Sequence, residues 1–101
     1  MKPYVLHLVA EQELAEAVAD YDARRPGLGR RLYDAVDATI SRVRTHPLMY
    51  AADADGVRIA PVDGFSYSVV YVDFPTYVWI ASISHNRRRP GHWASRRPDD
   101  V

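Results

Sequence analysis

The residues best equipped for chemistry lie in one stretch near the C-terminus, His85-Asn86-Arg87-Arg88-Arg89-Pro90-Gly91-His92-Trp93, with Arg96 and Arg97 close behind. Imidazoles that titrate near neutral pH, planar guanidinium forks and a stacking indole suit a polyanion with exposed bases, which means RNA or single-stranded DNA. Cleaving RNA without a metal takes a group for the 2′-hydroxyl proton, cations for the charge that develops at phosphorus, and an acid for the leaving oxygen. His85 or His92 offers the acid or base. Arg87, Arg88, Arg89 and Arg58 offer phosphate contacts, Arg96 extends the cationic set, and Trp93 offers a surface on which a base stacks.

Each of these residues also has a plainer role open to it. His85 could close a strand by bonding to backbone, Trp93 could anchor the tail on the sheet, and Arg58 could pair with a carboxylate such as Asp63. His7 reads as a structural residue of the first strand. The acidic residues of the first helix read as a solvated face.

The basic charge is local. Residues 1–84 hold eight Lys or Arg against eleven Asp or Glu, whereas residues 85–101 hold five Arg against two Asp. Other chemistries lack their signatures. With no cysteine there is no disulfide framework and no thiolate nucleophile or ligand. There is no glycine-rich phosphate loop, no His-Glu-x-x-His and no serine in a nucleophile elbow. His85 and His92 are a weak pair for a metal, so neither metal nor cofactor is expected.

These residues must be positioned by one small fold. The 101 residues suffice for a single domain, expected over 1–97 with 98–101 as a frayed tail. No apolar run approaches the roughly 20 residues of a membrane span, and the N-terminus has no signal-peptide pattern, so a cytoplasmic protein is expected. Residues 4–9 read as a strand. From Glu11 the period changes, and Leu14, Val18 and Tyr21 mark an amphipathic helix that Pro26-Gly27-Leu28-Gly29 ends. A second helix follows from about Gly29 to His46, with Leu32, Val36, Ile40 and Val43 as its apolar stripe and Pro47 as its stop. Three strands complete the chain: Val57–Val62, Tyr67–Asp73 and Tyr77–Ser84, the last two a hairpin across Phe74-Pro75-Thr76. The expected fold is α+β, in the order β-α-α-β-β-β. A helical hairpin packs on one face of a mainly antiparallel four-stranded sheet, with the first strand at or beside an edge.

In that order and spacing the chain resembles the RelE/ParE family of bacterial type II toxin–antitoxin toxins. The likeness rests on the first strand with Glu11-Gln12-Glu13-Leu14-Ala15-Glu16-Ala17, on Pro26-Gly27-Leu28-Gly29-Arg30-Arg31-Leu32 and on His46-Pro47-Leu48-Met49-Tyr50. It continues through Phe65-Ser66-Tyr67-Ser68-Val69-Val70-Tyr71 and the closing His85 to Trp93. The resemblance implies a toxin neutralised by a cognate antitoxin protein. RelE-like members cleave mRNA on the ribosome with basic residues and a C-terminal tyrosine or histidine. ParE-like members poison DNA gyrase and lack that set. Arg87 matches an arginine of the ribonuclease branch, Trp93 stands where that branch has its tyrosine, and Ser68 where it has a further arginine.

Three readings follow: a ribosome-dependent endoribonuclease with His85 and Arg87 in catalysis and Arg58, Arg88, Arg89, Trp93 and Arg96 on the substrate; a gyrase inhibitor that binds without catalysis; or an RNA- or antitoxin-binding member without toxicity. The partners implied are the antitoxin and mRNA on the ribosome, or DNA gyrase, with a homodimer or a toxin–antitoxin hetero-oligomer as the assembly and no membrane.

Overall fold

A computed structural model describes residues 1–100. The chain runs β1 (Tyr4–Leu6), α1 (Leu8–Arg24), α2 (Leu28–Thr45), β2 (Val57–Pro61), β3 (Tyr67–Asp73) and β4 (Val78–His85). The sheet order is β1-β4-β3-β2, with β1 parallel to β4 and the other neighbours antiparallel. This is the expected fold, with β1 at the edge. No helix is long and apolar enough to cross a membrane.

The first strand is shorter than its apolar run suggested. It stops at Leu6 because His7 turns the chain and caps α1, its Nδ1 accepting from Val9 N at 3.0 Å. A side-chain acceptor at the N-cap satisfies a helix N–H that otherwise has no partner. Leu8 and Val9 thus open a helix rather than extend a strand, and α1 begins three residues before Glu11.

The two helices bury their stripes on one sheet face, as both periodicities required. Ala10, Ala17, Leu32, Val36, Ile40 and Val43 meet Val69, Tyr71, Ile80 and Ile83 in a single core. Gly29 lets α2 start tight against α1. A Cβ there would stand 2.8 Å from the Asp22 carboxyl carbon and closer still to the Val18 carbonyl oxygen. In its place the Gly29 N–H donates to Asp22 Oδ1 at 2.7 Å, a cap supplied from the neighbouring helix because Gly27 has no side chain to give one.

On β4 the alternation of faces breaks once. Tyr71 pairs with Ile80 but Val70 pairs with Ser82, so Ala81 is an extra residue, a β-bulge. Without it Ile80 and Ile83 could not both face the helices. With it, Ile83 joins the core while Trp79 and Ala81 join a second, smaller cluster with Val70 on the helix-free face. The bulge also leaves Ser82 and Ser84 on that open face.

Gly29→Ala is expected to lower stability by about 1–3 kcal/mol, since the new methyl meets backbone that cannot yield without moving α1. Urea unfolding measures it. An unchanged midpoint would mean the hairpin is looser than described.

Candidate functional site

The open sheet face carries a shallow groove of about 210 Å³, smaller than the cleft that encloses a whole small-molecule ligand. Ile59, Ser68, Val70 and Ser84 line its strand side, and the returning C-terminal segment supplies Pro90, His92 and Trp93. His85, Asn86 and Arg88 border it as well. Trp93 packs on the Val70–Trp79–Ala81 cluster. Of its two sequence-based roles, the anchor is the one the contacts show, and the indole still borders the groove.

The segment is held by Glu13, whose side chain is only 9% exposed. Its Oε1 accepts from Arg96 Nη1 at 2.8 Å, from Ser82 Oγ at 3.0 Å and from Ile83 N at 3.2 Å. Its Oε2 accepts from Arg96 Nη2 and Arg88 Nη1, both at 3.2 Å, with His92 Nε2 3.5 Å away. Arg96 also donates to the Ala81 carbonyl at 2.8 Å. Burial pushes the Glu13 carboxyl up, but the Arg96 guanidinium, the Ile83 N–H and the Ser82 hydroxyl together outweigh it and hold the group below its ordinary 4.5.

This corrects, for Glu13 alone, the reading of the first helix's acids as a solvated face; Glu11, Glu16 and Asp20 are exposed as expected. Glu13 lies three residues after Ala10 and four before Ala17, on the buried side of α1. The two small residues beside it let the helix come close to β4. That flanking pair of alanines was the available signal, and it was overridden by the residue's charge.

The structure divides the sequence-selected cations into two groups. Arg88 and Arg96 are engaged by Glu13, and Arg58 donates to the Tyr50 carbonyl rather than to Asp63, which lies 3.9 Å from Arg42 instead. Among the described residues the guanidinium groups of Arg87 and Arg89 meet no acceptor, and both are exposed. The histidines divide too. His92 is turned inward, 7% exposed, its Nδ1–H donating to the Arg89 carbonyl at 3.0 Å and its Nε2 lying 3.2 Å from Ser82 Oγ.

His85 is half-buried at the end of β4, edge-on to Tyr67 with ring centres 5.3 Å apart. Its Nδ1 accepts from the Arg87 N–H at 3.0 Å, so the neutral ring carries its proton on Nε2. Ser68 and Asn86, assigned no role at the site from sequence, meet beside it. Ser68 Oγ donates to Asn86 Oδ1 at 2.7 Å, which assigns the oxygen inward and leaves the Nδ2 donor unengaged among the described residues.

Glu13→Gln is expected to cost about 3 kcal/mol, because Arg96 is left without its counter-charge in a site 10% exposed. The pH sign follows from the depressed carboxyl. The unfolded chain takes up this proton first as acid is added, so the stabilisation is full above the ordinary 4.5 and is lost as pH falls through the folded value. Melting curves from about pH 7 to about pH 3 should fall less steeply for Glu13→Gln than for the wild type. Parallel curves would remove Glu13 from the acid response.

No protein-family model and no curated protein sequence matches the chain. Among solved structures, a chain of the chromosomal ParDE TA system from P. aeruginosa matches with a TM-score of 0.73 at 13% identity, over 84% of this chain and 96% of that one. The chain therefore has the fold of that toxin–antitoxin structure, two helices on one face of a four-stranded mixed sheet.

Proposed function

We propose that the chain is the toxin of a toxin–antitoxin pair and acts as an endoribonuclease on mRNA in the ribosome, by proton transfer and phosphate stabilisation without a metal. The observation that carries this reading is a set of donors at the end of β4, beside the groove. His85 with its Nε2–H and Asn86 with its amide border the groove together with Trp93, and the exposed Arg87 and Arg89, whose guanidinium groups meet no acceptor among the described residues, follow directly in the chain. Acceptors alone satisfy such a set, and a phosphodiester with flanking bases presents acceptors.

The roles follow from those bonds. Arg87 and Arg89 hold the phosphate and the charge that grows on its oxygens. The 2′-oxygen attacks phosphorus as its proton passes to water, the bond to the 5′-oxygen breaks with the His85 Nε2–H hydrogen-bonded to that oxygen, and water supplies the proton it takes up. Arg88 and Arg96 act from behind, keeping the Trp93 wall in place through Glu13. The fold likeness to a ParDE structure supports the toxin role and implies an antitoxin. Strand β1 has a free outer edge, and a cleft lined by Tyr4, Leu14, Tyr33 and Ile40 lies next to it, surfaces suited to an added strand or helix. An acidic antitoxin segment over Arg87 and Arg89 would close the groove.

One observation favours a second reading. With both His92 nitrogens engaged and Arg88 and Arg96 held by Glu13, only one of the two imidazoles that border the groove has a nitrogen without a partner among the described residues. A toxin equipped in that way could inhibit DNA gyrase by binding alone.

Mapping mRNA 5′ ends shortly after induction in a bacterial host separates the two. New ends within codons are expected for the wild type, and Arg87→Ala should reduce them by about 10²-fold or more. Growth arrest with DNA damage and no new ends would overturn the ribonuclease reading in favour of gyrase.

A further inference from the structure

The groove has two unlike ends, and the ribonuclease reading leaves one of them unused. Ile59, Val70, Pro90 and Trp93 make an apolar slot beyond the phosphate-binding arginines. At its inner end stand Ser68 and Ser84, paired across β3 and β4, with Asn86 just past the strand. Asn86 is tied there twice. Its N–H donates to the Ser66 carbonyl at 2.9 Å, and its Oδ1 accepts from Ser68 Oγ at 2.7 Å. An amide whose oxygen is engaged can turn only its NH₂ outward. Ser68, 8% exposed, therefore acts as a clamp that fixes which half of Asn86 faces a ligand.

Resting on the RNA-groove reading above, we infer that this slot takes one base of the strand and that Asn86 selects for a keto edge, with Ser68 as its positioning residue. A flat apolar slot lined by an indole favours any base by stacking and burial, without discrimination. Discrimination then falls to the polar end, and its oriented group is a donor. Uracil offers the O4 acceptor at the place where cytosine offers the N4 amino donor, and the two rings have the same size and shape. The amide meets uracil O4 with a hydrogen bond and meets the cytosine amine donor to donor. Asn86 is exposed at the groove's rim, so the mismatch forfeits one hydrogen bond rather than stranding a buried donor. Guanine, which presents O6 and N7 as acceptors, belongs with uracil in this scheme.

The test is equilibrium binding of 5′-labelled U₆ and C₆ RNA to the purified chain by fluorescence anisotropy. The two oligomers share their phosphates, so Arg87 and Arg89 contribute equally to both. Wild type should prefer U₆ by about tenfold. Asn86→Asp presents acceptors in place of donors and should invert the ratio, whatever its added charge does to both affinities. Ser68→Ala should bring the ratio toward one, and Ser68→Thr, which keeps the hydroxyl, should restore it. Circular dichroism melts confirm that each variant folds.

Equal binding of U₆ and C₆ by the wild type, or an unchanged ratio in Asn86→Asp, would overturn base selection while leaving the RNA groove standing. Absence of binding to either oligomer, with an acidic peptide bound instead at Arg87 and Arg89, would overturn both the inference and the reading beneath it.

Discussion

The fold depends on how the exposed edge of β4 is closed. β1 pairs with β4 only through Ile80, because His7 turns the chain into α1 there. The His7 N–H makes the last ladder bond, to the Ile80 carbonyl at 2.9 Å. Beyond it, the backbone of a strand that is buried along almost its whole length has no neighbour. Unpaired backbone groups in such a place are costly. Glu13 and Arg96 supply what a strand would have supplied: the carboxylate accepts from Ile83 N, and the guanidinium donates to Ala81 O. Each is in turn satisfied by the other, so an ion pair of two nearly buried side chains completes the sheet.

That solution sets the electrostatics of the open face. Closing the edge with a carboxylate brings an uncompensated charge into the interior unless cations surround it, and Arg88 joins Arg96 in doing so, with the His92 ring packed alongside. The C-terminal segment is thereby drawn across the sheet, and Trp93 is laid on the cluster around Trp79. The cations left for a ligand are those outside this arrangement. Two of the three consecutive arginines remain, and they lie on either side of the one that Glu13 engages. The segment's charge excess is real, yet the field it projects is smaller than the count of arginines implies.

The fold was legible in the sequence wherever one periodicity ruled a segment. Leu32, Val36, Ile40 and Val43 could sit on one face only if α2 formed, and β3 was readable as a central strand because both of its faces are apolar. The boundary between β1 and α1 was less legible, since apolar residues 4–9 fit a strand as well as a helix start, and the side-chain cap that decides between them is a matter of three-dimensional position. The site was only partly legible. Residue type singled out His85 and Trp93, which border the groove, but it could not say that Arg58 would be used by the Tyr50 carbonyl. Nor could it say that Glu13 would face inward. Those are outcomes of long-range pairing, and Glu13 lies 83 positions from Arg96.

The bulge at Ala81 connects these points. A regular β4 would place Ser82 on the helix side if Ile80 and Trp79 kept their faces, and it would turn Ile83 outward. One extra residue restores Ile83 to the core and sets Ser82 and Ser84 on the open face, where Ser82 Oγ meets Glu13, Ser84 and His92. The hydroxyls there meet polar partners, so a strand that is otherwise apolar tolerates them. Beyond the bulge the register brings Ser68 opposite Ser84 and carries Asn86 to the point where Ser68 reaches its amide. A backbone irregularity that first serves the packing of one isoleucine thus also decides which side-chain donors face the groove.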